Sequence, residues 1–186
     1  MTTVFLIGEN DDTGLEILVK SNLTNTYSVT YIKGNSISEA GKGYDVLVLD
    51  SPALEAAELG ECIIVMKSRG EVPAVSLPEK SIVIVNSENT EQLNALEAYG
   101  RQVITCGKDR RDTLSYTSLT SDGIVISLNR EITAFSGRKI QPLEIPVKFT
   151  LESGFSAEPD SVYDTIAYTA LRLILDDYDS EIGLLY

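Results

Sequence analysis

Short apolar runs alternate with stretches of helical apolar spacing through the first part of the chain. The run VFLI ends at Gly8, and a polar turn leads into LEILVKSNL, an amphipathic helix that Asp12 or Thr13 can cap. Because strands and helices alternate, the pattern predicts a parallel sheet with helices on both faces. Further strands are predicted at residues 27–32, 44–50, 62–66, 81–85 and 102–106, and further helices at 51–58 and 90–99.

Glycine and proline mark the interruptions of this pattern. Residues 34–43 contain three glycines and predict a loop or a weak helix, and residues 67–79 predict an irregular segment. Asn89 or Thr90 is the expected cap of the helix at 90–99, and Gly100 ends it. The alternating β/α part is therefore placed at residues 1–107.

Residues 108–186 follow a different pattern, with a hairpin extension and a final helix. Strands are predicted at 113–120, 124–128, 132–135 and 146–149, and Ser121-Asp122-Gly123 is a hairpin signal. The final helix is expected at 161–175 with Asp160 or Ser161 as its cap, followed by a frayed, solvated tail at 176–181. The whole chain, 1–186, predicts a single α/β domain: three layers, α/β/α, with a mainly parallel sheet and an antiparallel C-terminal extension.

Composition narrows the possible partners. The net charge of −13 argues against nucleic acid and anionic membranes, because both attract clustered lysine and arginine. The sequence has no apolar run of the ~20 residues that span a bilayer and no basic segment ahead of an apolar one. These features predict a cytoplasmic protein.

Histidine is absent from the chain. Its absence removes the commonest general base near neutral pH, the Ser/His and Cys/His nucleophile arrangements, and every metal site that needs imidazole. Catalysis is left with carboxylates, lysine, tyrosine or a bound metal. Cys62 and Cys106 lie in apolar runs without a metal-site spacing, which predicts two buried thiols.

Several motifs together resemble the central, ATP-binding domain of the Mur ligases and of their folylpolyglutamate synthetase relatives. GENDDT at residues 8–13 resembles the family's phosphate loop GTNGKT, and YDVLVLDSPAL at 44–54 resembles the strand whose terminal acid, here Asp50, helps to hold magnesium. SIVIVNSEN at 81–89, QVITCG at 102–107 and DSVYDTIAYTALRLIL at 160–175 are similar to later strands and the last helix. The resemblance implies a Mur ligase central domain-like fold.

This sequence departs from the family where nucleotide is bound. Asp11 stands in place of a glycine, and Asp12 in place of the lysine that contacts the β- and γ-phosphates. Asp160-Ser161 replaces the His-Asn pair that opens the last helix, the family's metal-binding histidine is missing, and no flanking ligase domains are expected. Like charges at ~4 Å cost about 1 kcal/mol each even in water, so ATP in the family's pose is disfavoured.

The loop residues form the candidate ligand site, a degenerate phosphate loop. Its members are Gly8, Glu9, Asn10, Asp11, Asp12 and Thr13. A metal held by Glu9, Asp12 and Asp50 is a further hypothesis, because hard cations prefer clustered oxygens. The alternative is a structural role for these residues. Gly8 permits a tight turn, Thr13 caps the helix, Asp50 ends a strand, and the loop acids stabilise a helix N-terminus.

A second candidate is an anion or partner patch at Lys108, Arg110 and Arg111. Asp109 and Asp112 interleave with these bases, so a solvated loop of mutual ion pairs is the alternative.

The leading hypothesis is a non-catalytic Mur ligase-like domain that acts by protein association, as a homodimer or as an accessory or regulatory subunit of a cell-wall or related amide ligase. No catalytic residue and no cofactor are expected. The alternative is an enzyme or sensor that binds a nucleotide or metabolite through a metal on the loop carboxylates, which keeps Mg-ATP open as a ligand. A plain dinucleotide-binding domain would need G-x-G-x-x-G, which Gly8-Glu9-Asn10 cannot supply.

Overall fold

The computed structural model describes residues 1–40, 45–54, 61–72, 80–97, 102–149 and 158–178, and the backbone of 182–184. Within these ranges most strands belong to one sheet. Its strands are β1 (Thr2–Ile7), β2 (Val29–Lys33), β3 (Ser36–Ala40), β4 (Val46–Ser51), β5 (Ile63–Met66), β6 (Ile82–Asn86), β7 (Gln102–Cys106), β8 (Leu114–Thr120), β9 (Gly123–Leu128), β12 (Leu143–Phe149) and β13 (Ile182–Leu184). A separate two-stranded sheet contains β10 (Ile132–Thr133) and β11 (Lys139–Ile140).

The centre of the main sheet is parallel, as the sequence predicts. The strand order is β13-β12-β9-β8-β7-β6-β5-β1-β4-β2-β3. Neighbours from β8 through to β2 pair in parallel, whereas β8, β9 and β12 pair antiparallel to one another in turn. The antiparallel C-terminal extension is therefore confirmed, and it continues the sheet formed by the first half of the chain.

Helices cover both faces of the sheet. The helix α1 (Gly14–Asn22) packs beside α3 (Pro159–Ile174), and both lie over one apolar face, to which Leu6, Val65 and Ile84 belong. The shorter α2 (Thr90–Leu96) lies over the opposite face, where Leu96 joins the cluster of Phe5 and Ile64. A strand buried on both faces reads as a continuous apolar run, which is why β1, β5 and β6 were identifiable from sequence.

The predicted caps are partly confirmed. Asn89 caps α2 by accepting a hydrogen bond from the Gln92 amide at 3.1 Å. Thr13 occupies the N-cap position of α1, yet its side chain makes no capping hydrogen bond. The caps predicted for α3 are wrong: the helix begins at Pro159 after Glu158, because proline's fixed φ suits the first helical position.

Two predictions of irregular or weakly ordered structure are wrong in their described parts. Residues 36–40 form β3, antiparallel to β2 across the turn Gly34-Asn35, and Gly34 adopts the φ of +56° that this turn requires. The predicted solvated tail is also wrong in its described part. Asp176 and Asp177 pair with Arg138 at 2.6 Å and Arg172 at 3.1 Å, respectively, and β13 follows parallel to β12.

The helix predicted at 51–58 is wrong in its described half, 51–54, where Ser51 ends β4 and no helix follows, and its second half lies outside the described residues. The last residues of the helix predicted at 90–99 also lie outside the described residues. Cys62 and Cys106 are buried and free, as expected. No helix in the described ranges is long and apolar enough to cross a membrane.

Candidate functional site

The candidate site lies where β1, β4 and β5 end side by side. Gly8 follows β1, Asp50 is the penultimate residue of β4, and Lys67 follows β5. The carboxyl ends of parallel strands meet at one edge of a sheet, which is the usual place for a ligand in this class of fold. The topology therefore brings the predicted loop and Asp50 together, and it adds a lysine from the segment expected to be irregular.

Gly8 is required by close packing. A Cβ added at Gly8 would lie 2.5 Å from Lys67 Cβ and 2.8 Å from the Arg69 carbonyl oxygen. Gly70 approaches from the other side, since a Cβ there would lie 2.7 Å from Gly8 Cα. The loop after β1 and the segment after β5 are thus packed backbone to backbone, with no space between them for a ligand group.

The amides at the start of the loop donate to the protein's own carbonyls. Gly8 N–H donates to Ser51 O at 3.2 Å, Glu9 N–H to Arg69 O at 2.8 Å, and Asp12 N–H to Glu9 O at 3.2 Å. A phosphate loop works by aiming successive amides at an anion. Here three of the loop amides, which are not all successive, already donate within the fold.

Two loop carbonyls accept hydrogen bonds from ammonium groups. Lys67 Nζ lies 3.4 Å from the Glu9 carbonyl oxygen, and Lys33 Nζ lies 3.0 Å from that of Asn10. The loop therefore presents carbonyl oxygens, and not only amides, to neighbouring groups, that of Glu9 in a half-buried position and that of Asn10 in an exposed one. Such an arrangement attracts positive charge, the opposite of what a polyphosphate requires.

Asp50 is the centre of a buried polar cluster. Its carboxylate contacts Lys67 Nζ at 2.7 Å and Tyr31 Oη at 2.5 Å, and Lys33 Nζ lies 3.7 Å away. The side chains of Asp50 and Lys67 are both 0% exposed. Burial, reinforced by the bond to Asp50, raises the pKa of Tyr31 far above its ordinary value. Both carboxylate oxygens are thus committed to neighbouring donors.

The segment that carries Lys67 is fixed by the elements around it. Gln92 Nε2 donates to the carbonyl oxygens of Lys67 at 3.0 Å and Gly70 at 2.9 Å, and Asn89 Nδ2 donates to Ser68 O at 3.4 Å. From the opposite face, Tyr163 donates its hydroxyl hydrogen to the carbonyl oxygen of Met66. Helices on both faces of the sheet therefore hold this segment against the loop.

Asp12 points inward. It is 6% exposed, and its Oδ2 accepts a hydrogen bond from the Arg69 amide at 3.2 Å. Burial raises the pKa of Asp12 above its ordinary value of 3.8. Asp12 thus fastens the loop to the segment after β5 and is not presented to solvent.

A second buried carboxyl, Asp164 of α3, lies against the start of α1. A Cβ added at Gly14 would lie 1.8 Å from Asp164 Oδ2, so glycine is needed there for close approach. Asp164 is 3% exposed, and its Oδ1 has no hydrogen-bond partner among the described residues. Burial and then the neighbouring Asp12 raise the pKa of Asp164 well above 3.8. The N-terminus of α1 is consequently covered by α3.

The remaining loop acids lie in solvent. Arg69 Nη1 lies 3.2 Å from a Glu9 oxygen and 3.5 Å from an Asp11 oxygen, and all three side chains are about half exposed or more. The predicted metal site is not assembled: in the described ranges no group of three His, Cys, Asp or Glu side chains is arranged to hold a metal ion. Glu9 is paired with Arg69, Asp12 with a backbone amide, and Asp50 with Lys67.

The predicted anion or partner patch follows β7. Lys108 pairs with Glu88 at 3.1 Å and Arg111 with Asp109 at 2.9 Å, while Arg110 is exposed on the same turn. The Arg111 hydrogen bond lowers the pKa of Asp109 to about 2. Two of the three bases are therefore engaged in ion pairs, of which only that of Arg111 with Asp109 is the mutual pairing within the loop that the alternative interpretation describes.

Sequence reasoning found the loop and Asp50 but missed Lys67, Asp164 and Gln92. The available signal for Lys67 was its position, directly after the buried run IIVM, where a parallel strand delivers its next residue to the ligand edge. Asp164 and Gln92 lie inside helical patterns and gave no comparable signal.

Comparison with known proteins supports the fold. No protein-family model and no curated protein matches this sequence. Solved structures do match. The MurF ligase from Thermotoga maritima in complex with ADP matches with a TM-score of 0.56 at 14% identity, over 95% of this chain and 46% of that one.

Two further ligases agree with this match. The UDP-N-acetylmuramoylalanyl-D-glutamyl-2,6-diaminopimelate--D-alanyl-D-alanyl ligase from Acinetobacter baumannii matches with a TM-score of 0.56 at 13% identity, over 95% of this chain and 43% of that one. The murein peptide ligase Mpl from Psychrobacter arcticus 273-4 matches with a TM-score of 0.53 at 8% identity, over 93% and 44%. This chain spans less than half the length of these proteins. The resemblance stated from the motifs is therefore confirmed at the level of architecture: the chain has a Mur ligase-like α/β fold.

Proposed function

We propose that this protein is a non-catalytic Mur ligase-like domain that acts by protein association, as an accessory or regulatory subunit of a cell-wall or related amide ligase. The observation that carries the proposal is the set of backbone hydrogen bonds made by the loop after β1. Its amides at Gly8, Glu9 and Asp12 all donate to carbonyl oxygens of the protein itself. A nucleotide would have to break these bonds before it could form its own.

Electrostatics supports the same proposal. A polyphosphate that approached the loop would meet the exposed carboxylates of Glu9 and Asp11 first. Behind them, Asp50 already holds the ammonium of Lys67 at 2.7 Å, with both side chains excluded from solvent. Magnesium on Asp50 would have to displace a buried ammonium and leave it without its partner, which is costly.

The association part of the proposal rests on the likeness to ligases. The T. maritima structure holds ADP, whereas the corresponding loop here is closed by internal bonds. A domain that keeps the architecture while its loop amides bond to its own carbonyl oxygens still offers its outer surfaces for binding. A ligase that shares this architecture is the partner class that the likeness favours.

Isothermal titration calorimetry with Mg-ATP and Mg-ADP tests the nucleotide part. We expect no binding at ligand concentrations up to about 1 mM. A dissociation constant of about 1 mM corresponds to a binding free energy of only about 4 kcal/mol. Micromolar binding that Asp50→Asn weakens would refute the proposal. That outcome would favour the alternative, an enzyme or sensor that uses the loop carboxylates.

Affinity purification of the tagged full chain from its native cell tests the association part. Specific recovery of an amide ligase, absent from a purification with an unrelated tagged protein, is the expected outcome. Recovery of no ligase in repeated purifications would contradict an accessory role.

A further inference from the structure

The strand β3 forms one end of the main sheet and is covered on neither face. All five of its side chains are exposed, and Ile37 is 68% exposed, the largest value for a large apolar side chain apart from Met1 among the described residues. On its inner side β3 pairs with β2, and on its outer side it pairs with no described strand. An edge of this kind is a template for another strand.

The hairpin geometry determines which backbone groups face outward. Lys33 and Ser36 flank the two-residue turn, so they form the hydrogen-bonded pair that closes it. Pairing alternates along an antiparallel ladder, so Ser38 and Ala40 also point their backbone groups at β2. Ile37 and Glu39 therefore point their N–H and C=O groups away from the sheet.

We propose that β3 pairs antiparallel with β3 of a second copy of this chain, about a two-fold axis at Ser38. This inference goes beyond the proposed function, whose partner is a ligase, and names a surface through which two copies of this chain associate. With the axis at Ser38, Ile37 of each copy lies opposite Glu39 of the other. All the outward backbone groups of both residues are then paired at once.

Other self-pairings of the same edge are less favourable. An axis at Ile37 places Glu39 opposite Asn35, which belongs to the turn, and so leaves Glu39 without a ladder partner. An axis at Glu39 opposes two carboxylates directly, which destabilises a pair of strands. The Ser38 register avoids both penalties.

The edge lacks most of the features that prevent pairing. Natural edge strands are protected by charged side chains, especially lysine, by proline, by bulges or by a covering loop. Glu39 is the one charged side chain of β3. The strand SISEA has neither lysine nor proline, and its pairing with β2 is regular from Ser36 to Ala40. The face that carries Ser36, Ser38 and Ala40 has only small side chains, so nothing on it obstructs an approaching strand.

Two substitutions of one residue test the register. Ile37→Glu places a carboxylate opposite Glu39 twice in the dimer, whereas Ile37→Lys places an ammonium there twice. Sedimentation equilibrium of the full chain over about 1–500 µM should show a monomer–dimer equilibrium for the wild type. We expect Ile37→Glu to raise the dissociation constant about tenfold or more, and Ile37→Lys to leave it unchanged or lower it.

Ile17→Glu is the matched control. Ile17 is also an exposed isoleucine, at 41%, but it lies on α1 and away from the edge. The same isoleucine-to-glutamate change at position 17 should leave the dissociation constant of the dimer unchanged.

Three outcomes would overturn this inference. They are a wild type that stays monomeric at every concentration, a dimer that Ile37→Glu does not weaken, and a dimer that both Ile37 variants weaken equally. A monomer that binds no nucleotide and still recovers a ligase would refute the dimer while leaving the proposed function intact. A dimer that binds Mg-ATP would refute the proposed function alone.

Discussion

Removal of the Lys67 ammonium is the sharpest test of how the site is held together. In Lys67→Met the side chain keeps much of its length and loses its charge, so Asp50 remains buried without its closest partner. Loss of one member of a buried ion pair costs about 3–5 kcal/mol. Asp50 keeps Tyr31 at 2.5 Å and Lys33 at 3.7 Å, so we expect a loss near the lower end, about 3 kcal/mol.

Urea denaturation at neutral pH measures this loss as a shift of the midpoint at constant slope. Lys139→Met is the matched control. Its ammonium lies 2.8 Å from Glu131, but the two side chains are 69% and 40% exposed. Exposed pairs contribute about 0–1 kcal/mol, so the two lysines should differ strongly although their ion-pair distances are alike.

A double-mutant cycle separates the pair from its surroundings. Asp50→Asn with Lys67→Met removes both charges, so the double variant should be destabilised by less than the sum of the single losses. A loss below about 1 kcal/mol in Lys67→Met, or additive single losses, would refute the view that this pair is the buried electrostatic centre of the site.

Three further substitutions probe the surroundings of the loop. Gly8→Ala should cost about 1–3 kcal/mol in urea denaturation, since its Cβ would lie 2.5 Å from Lys67 Cβ, and a neutral effect would contradict this packing. Asn89→Ala should cost about 1 kcal/mol through loss of the α2 cap, and an unchanged urea midpoint would contradict that role. Asp164→Asn should flatten the fall of melting temperature as the pH rises above 3.8. Burial raises the folded-state pKa of Asp164, so the stability gained from its protonated carboxyl is complete below the unfolded-state pKa of 3.8. That stability is lost as the pH rises through the folded-state pKa. Identical pH profiles for this variant and the wild type would show that Asp164 does not titrate on unfolding.

The position of the candidate site was predictable because it depends on local pattern. An apolar run that ends in Gly8, a polar turn and an amphipathic helix specify a strand, a loop and a helix N-terminus without any long-range information. Asp50 was identified for the same reason, as the acid at the end of a strand buried on both faces.

The chemistry of the site was not predictable in the same way. The sequence shows three acids in the loop, and it cannot show that Asp12 turns inward to the Arg69 amide while Glu9 and Asp11 stay in solvent. From the motif, the sequence predicts that Asp12 stands where related loops carry a lysine. The lysine that fills the crevice comes from another strand, 58 residues beyond Glu9.

The sequence by itself determined the alternation of strands and helices, and with it the parallel sheet, because side-chain periodicity follows directly from backbone geometry. It also set the absence of histidine and the acidic loop. Only the tertiary structure decided which of these groups meet. Strand order places β5 beside β1, so Lys67 reaches Asp50, and α3 crosses α1, so Asp164 covers Gly14. These contacts join residues far apart in the chain, and their burial, which no local pattern encodes, governs the charge state and the strength of each pair.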